Sequence, residues 1–224
     1  MRLGVLFSGG KDSCFALYKA KEQHEIACLL TMRSRNKESY MFHTPNIDLT
    51  ALQAEAMGIP LLTVETEGEK ETELGDLKTL IMKAKNECNI HGIVTGAIES
   101  VYQAARIQEI CNDLGLWCFN PLWKKDQLSL LNELRETGFK VIISGVFAYP
   151  LDKSFLGREI DDTCIAELAV LQKKFNISPS GEGGEIETLV LECPLFKRKL
   201  HITNSEKKWD GSSGIFNILE ASLI

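Results

Sequence analysis

The chain has 224 residues, of which 44% are hydrophobic and 25% charged. At about 150 residues per domain this is one large domain or a large one plus a small one, and such ordinary usage excludes disorder and coiled coil. Lys and Arg number 25 against 31 Asp and Glu, and the resulting net charge of −6 argues against a general nucleic-acid binder working by phosphate neutralisation.

No apolar run approaches the ~18–20 residues of a membrane helix. The apolar stretch Leu3 to Phe7 is too short for a signal peptide and runs straight into Ser8-Gly9-Gly10-Lys11. Seven cysteines, an odd number without a CxxC pair, imply a reducing compartment, so the cytoplasm is expected and no membrane partner. The histidines at 24, 43, 91 and 201 have no metal-ligand spacing, so structural zinc is not expected.

In chain order, Arg2 to Phe7 reads as a buried strand, followed by a helix over Asp12 to Gln23. Ile26 to Met32 is a second strand. Asp48 is expected to cap a helix with Leu49, Leu52 and Met57 inward, ended by Gly58 and Pro60. Ile59 to Val64 is a third strand, and Glu69 to Cys88 has the apolar spacing of an amphipathic helix. Ile93 to Thr95 is a fourth strand, and a helix follows from Val101 to Leu114. Alternating strand and helix implies parallel strands with helices on both faces.

The second half is different. Leu128 to Leu134 reads as a short helix, Phe139 to Phe147 as a buried strand and Arg158 to Phe175 as another helix. Thr188 to Leu191, Lys199 to Thr203 and Gly214 to Leu219 read as strands, with Asp210 to Gly214 as turn chemistry. Residues 1–122 are thus expected to form a parallel α/β domain, and 123–224 a smaller α+β subdomain. The acids from Glu65 to Asp76 suit the start of a helix, and the basic stretch Cys193 to Asp210 reads as a solvated hairpin.

Chemistry enters at Ser8-Gly9-Gly10-Lys11-Asp12-Ser13, between the first strand and the first helix. Helix-terminal amides lack internal acceptors and carry partial positive charge, two glycines let backbone approach an anion, and Lys11 adds charge. The spacing is not that of a dinucleotide GxGxxG loop, nor of Walker A, where Val5 stands in place of the glycine. A second cluster, Ser180-Gly181-Glu182-Gly183-Gly184-Glu185-Ile186-Glu187-Thr188, gathers three carboxylates that repel one another unless exposed, cation-bound or protonated. Gly96-Ala97-Ile98-Glu99-Ser100, Tyr102-Gln103 and Arg106 follow the fourth strand, at the ligand-binding edge of an open parallel sheet.

SGGKDS resembles the pyrophosphate loop of the ATP-pyrophosphatase (PP-loop) superfamily. Together with GAIxSxYQxxR, PLW and EGGExET in this order, it is similar to the diphthine–ammonia ligases almost end to end. The resemblance implies a Rossmann-like doubly wound parallel sheet of the HUP (adenine nucleotide alpha hydrolase-like) kind. It implies, too, an ATP-dependent ligase that adenylates the diphthine carboxylate of elongation factor 2, releases pyrophosphate and lets ammonium supply the nitrogen.

On that resemblance Ser8, Gly9, Gly10, Lys11, Asp12 and Ser13 bind ATP, with Asp12 on Mg²⁺ or shaping the loop, and Met32, Gly96 and His43 border the nucleotide. Lys11, Asp12, Glu182, Glu185 and Glu187 carry the catalysis. Strand alternation puts Glu185 and Glu187 on one face, Glu185 being the stronger candidate. Tyr102, Gln103, Arg106 and Thr188 face the substrate. Two readings stay open: another PP-loop enzyme acting on a small acid or thiolating tRNA, and a regulatory module that holds ATP without turnover. The sequence leaves a homo-oligomer open.

Overall fold

The computed structural model describes residues 1–35, 45–68 and 70–224; His43 lies outside the described residues. Five parallel strands lie in the order β3-β2-β1-β4-β5, namely β1 Arg2–Leu6, β2 Glu25–Ser34, β3 Leu61–Thr66, β4 Gly92–Val94 and β5 Trp117–Phe119. This is a doubly wound α/β order, whose ligand edge is the switch point between the neighbouring strands β1 and β4, where the strand order reverses direction. Alternation along β1 and β2 divides the apolar side chains between two cores. Leu3, Val5, Phe7 and Leu29 pack on one face, Cys28, Leu30 and Met32 on the other.

Helices α1 (Lys11–Lys21) and α2 (Thr50–Met57) cover the first face, and α3 (Lys70–Cys88) and α4 (Val101–Asp113) the second. A second, antiparallel sheet has the order β7-β6-β9-β8, built from β6 Lys140–Val146, β7 Ile186–Glu192, β8 Leu200–Trp209 and β9 Gly214–Leu223. It is accompanied by α5 (Gln127–Glu136) and α6 (Asp162–Phe175). Its buried residues join the first core, so one apolar cluster runs from Leu3 to Cys193 and fixes the second sheet against α1.

Several expectations need correction. Asp48 does not cap α2: it lies in a 3₁₀ turn, Ile47–Leu49, paired with Arg33, and the cap position belongs to Leu49, with no side-chain bond. The buried face of α2 is Thr50, Gln53, Ala54, Ala56 and Met57, with Leu49 and Leu52 only half-buried. Helix α6 begins at Asp162 rather than Arg158, because Asp161 accepts from the Cys164 amide at 2.8 Å. Residues 158–160 instead run beside β6, with Ile160 N donating to Val141 O at 2.8 Å. Strand β5, only three residues long, carried no readable pattern. The β8–β9 hairpin is longer than the apolar residues suggested, because 203–208 are exposed and need no hydrophobic alternation. Its turn is Asp210, whose carboxylate accepts from Ser212 N at 2.9 Å and Ser213 N at 2.7 Å.

Candidate active site

The loop from Phe7 to Gly10 joins β1 to α1, and the helix cap position is Gly10, which offers no side chain to its free amides. The loop is instead completed from 177 residues downstream. Thr188 Oγ1 accepts from Lys11 N at 3.1 Å, and Val190 N donates to Gly9 O at 3.0 Å. Gln53, fully buried in α2, donates through Nε2 to Gly9 O at 3.0 Å and to Val190 O at 2.8 Å. Ser8 and Ser13 hydroxyls stand 3.2 Å apart inside the turn, and Ser8 N donates to Ser13 Oγ at 3.3 Å. The glycine loop of one sheet is therefore braced by a strand of the other.

This bracing sets a demand on the glycines. Gly9 has φ +79°, and a Cβ there would stand 2.3 Å from Gln53 Oε1. Gly9→Ala is expected to cost about 1–3 kcal/mol through strain and overlap. At about 2–4 °C per kcal/mol for a chain of this size, thermal unfolding should fall by several degrees. Gly10→Ala, 3.2 Å from the Thr188 carbonyl and without a positive φ, should cost distinctly less.

The loop opens on a cleft of about 510 Å³, within the range of small-molecule sites. Leu6, Phe7, Leu30 and Met32 give it an apolar floor, Gly96 and Ala97 a rim, and Ser8, Lys11, Asp12, Ser13 and Thr188 a polar end. Gly96 allows the close approach: a Cβ there would meet the Asp12 carbonyl carbon at 2.8 Å. On the opposite wall stand Ser180 to Gly184, Ile186 and Glu187.

Charge concentrates at the polar end. The Lys11 side chain is 3% exposed and its Nζ lies 2.7 Å from Asp12 Oδ2, while Asp12 Oδ1 is buried with no protein partner. Burial pushes the Glu187 carboxyl up to about 7, with Lys11 opposing and Asp12 adding to the rise. Glu182 is raised too, first by burial and then by the charge of Asp12, against the Glu99 amide that donates to its Oε2 at 3.1 Å. One ammonium thus serves three neighbouring carboxylates.

The expected residues divide. Ser8, Lys11, Asp12, Ser13, Met32, Gly96, Gln103, Glu182, Glu187 and Thr188 line the cleft, whereas Gly9 and Gly10 form the back of the loop. Glu185 does not share the face of Glu187. It precedes β7, where alternation has not begun, and its Oε1 accepts from Ser178 N at 2.8 Å, away from the cleft. Arg106 turns along α4, 3.5 Å from Glu109 and 5.5 Å above the Tyr102 ring, so neither it nor Tyr102 lines the cleft. Ile107 stands on that wall in their place. Gln53 has no counterpart among the expected residues; its signal is an amide at an inward position of a helix whose other buried residues are small or apolar.

The donor set fits both implied groups. An apolar floor beside a helix N-terminus and a buried lysine suits an adenine nucleotide. A magnesium ion usually takes one or two carboxylates plus phosphate oxygens and water, and the unpartnered Asp12 Oδ1 supplies such a ligand. Among the described residues no helix is long and apolar enough to cross a membrane.

Residues 1–118 match the family described as "Diphthamide synthase N-terminal domain", and 126–224 the "Diphthamide synthase C-terminal domain". Among curated proteins, the chain is 37% identical to a diphthine–ammonia ligase of Danio rerio, covering 92% of this chain and 88% of that one. It is 34% identical to the Homo sapiens protein of the same name, covering 92% and 84%. A Schizosaccharomyces pombe protein so named is 35% identical, but the chain spans only 37% of its length.

Proposed function

The chain belongs to the diphthine–ammonia ligase family, and from that membership we propose how its residues divide the reaction. It is an ATP-dependent ligase of diphthamide synthesis that amidates the diphthine carboxylate of elongation factor 2. Ammonium supplies the nitrogen and elongation factor 2 docks as the protein substrate. The cytoplasm suits both, since all seven cysteines are free thiols.

The chemical difficulty is the acyl donor. A carboxylate would have to expel oxide, so AMP is first transferred to it and a phosphate-stabilised group leaves instead. Negative charge then builds on the departing pyrophosphate. The α1 amides and Lys11 would bind that charge most strongly at the transition state, because the fold sets them at one end of the cleft beforehand and Lys11 is 2% exposed. Ser8 and Ser13 support the same phosphates, and Met32 and Gly96 border the base. Asp12, through Oδ1, would hold Mg²⁺, which neutralises phosphate charge when bound.

The carboxylates act on the second half-reaction. Ammonium must lose a proton to become a nucleophile, and a carboxyl titrating near 7 is matched to that task at neutral pH. Glu187 is therefore the base, and Glu182 holds ammonium beside the acyl group. Thr188 carries the loop rather than the substrate, and Gln103 faces the acyl group. Residues 1–122 make up the nucleotide unit, and 123–224 the unit that brings the acids.

The observation that carries this reading is a PP-loop lysine and a neutral-range carboxyl in one cleft. Its test is incubation with ATP, Mg²⁺, ammonium and diphthine-bearing elongation factor 2, following AMP, pyrophosphate and the mass of the modified histidine. Stoichiometric AMP and amide are expected. AMP formed without amide would sink the diphthine assignment and keep the adenylation.

A further inference from the structure

We propose that Gln127 is a positioning residue that tethers the acidic loop, and with it Glu182, to the loop ahead of α4. The consequence for turnover rests on the ligase reading above; the tether itself rests on geometry. Gln127 is the first residue of α5, and Asp126 before it caps the helix by accepting from Ser129 N at 2.8 Å. The cap fixes the point from which the glutamine side chain leaves the helix.

Gln127 Oε1 accepts twice from Ser180, from its backbone N–H at 3.2 Å and its hydroxyl at 2.9 Å. Ser180 is 1% exposed, so the donor end of both bonds is shielded from water, while Gln127 is half-buried. With the carbonyl oxygen so engaged, the amide's Nε2 is the end left to donate, and it lies 3.5 Å from Glu99 Oε2. Glu99 then donates its own N–H to Glu182 Oε2 at 3.1 Å. Ser180, Gln127, Glu99 and Glu182 thereby close a ring between the loop after β4 and the loop before β7.

The tethered loop needs such support. Gly181 and Gly184 both have φ +83°, and with Gly183 they give the backbone many alternatives to the observed path. Glu182 is drawn into the cleft against its own burial cost. Gln127 itself does not line the cleft, so its removal touches neither ATP nor the acyl group directly.

Gln127→Ala in the full chain tests both halves. Hydrogen exchange at the Ser180 amide is expected to quicken by about tenfold or more, since opening of that segment loses its anchor. Amide formation at saturating ATP should fall by about 10- to 100-fold, the effect of displacing a reacting group by about an ångström. The KM for ATP should stay within about twofold. Gln127→Glu keeps the acceptor for Ser180 but faces a second carboxylate with Glu99, so exchange should stay slow while turnover still falls.

Unchanged exchange in Gln127→Ala would overturn the tether, and fast exchange with full turnover would overturn the positioning role. An equal loss of ATP affinity and turnover would also overturn it, since the damage would then reach the nucleotide loop. If the wild-type chain forms no amide while Ser180 loses protection in Gln127→Ala, the ligase reading fails and the tether stands.

Discussion

Lys11→Ala is expected to lower pyrophosphate release by about 10³-fold, roughly 4 kcal/mol of transition-state stabilisation, at saturating ATP and acceptor. The size of the effect follows from the surroundings. The Lys11 side chain is 3% exposed, ion-paired to Asp12, and within electrostatic reach of Glu182 and Glu187. Without it, the incoming triphosphate meets three carboxylates and, among the described residues lining the cleft, no compensating side-chain charge. Protonation of Glu182 and Glu187 would relieve the protein but not hold the leaving group. Loss of one partner of a buried pair can also destabilise the fold by about 3–5 kcal/mol. Lys11→Met keeps the packing of the apolar stem but not the charge: it should melt above the alanine variant yet below wild type and remain as inactive as the alanine variant. Lys11→Arg retains charge, yet its planar fork does not fit a site shaped for a compact ammonium, so little rescue is expected. Retained pyrophosphate release in Lys11→Met would remove the loop from the chemistry.

Glu187→Gln should act in opposite directions on activity and on stability. Amide formation is expected to fall by about 10²–10⁴-fold, the range for loss of a general base, while ATP binding changes little. Stability follows from the sign of the shift. The folded carboxyl titrates near 7 against 4.5 for the ordinary group, so between these values the folded state binds the extra proton. Its favourable contribution is complete below about 4.5 and is lost as pH rises through 7. Above that, wild type carries a charge that burial opposes. At about 1.36 kcal/mol per unit, discounted for the partial exposure of the residue, the amide variant should be more stable by about 1–2 kcal/mol at pH 8. Thermal melts should therefore lie about 2–8 °C higher than wild type at pH 8 and coincide near pH 4.5. A variant that melts lower at pH 8 would show that Lys11 already compensates the charge. With the carboxyl titrating near 7, wild-type amidation should rise as pH passes through 7, which a pH–rate profile reads directly.

What could be seen in the sequence was local. SGGKDS lies between a strand and a helix that are both patterned in their own residues, so the loop and its lysine were legible from a single window. Ser100 caps α4 by accepting from Gln103 N at 3.4 Å, again within one turn of chain. Other features depend on partners far away. Thr188 lines the cleft, but its bond to the Lys11 amide, 177 residues distant, has no local signal. Nothing near Gln53 in sequence announces its two carbonyl acceptors, Gly9 O in the glycine loop and Val190 O in β7. Glu185 and Glu187 were paired by a strand rule that applies only once β7 has begun, at Ile186. Arg106 and Gln103, three apart, share a helix flank, yet the longer side chain lies along α4 toward Glu109 and Tyr102.

The hydrogen bonds from β7 to the nucleotide loop also order events in time. A ribosome adding about 5–20 residues per second needs about 10–35 s to travel from Lys11 to Thr188. Through that interval the emerging amino-terminal half has its glycine loop but lacks the hydroxyl and the amide that brace it. The nascent chain therefore reaches a complete ATP site only when the strand bearing Glu187 has been made. Nucleotide activation and acceptor chemistry come into being together, and a truncated product is left with neither.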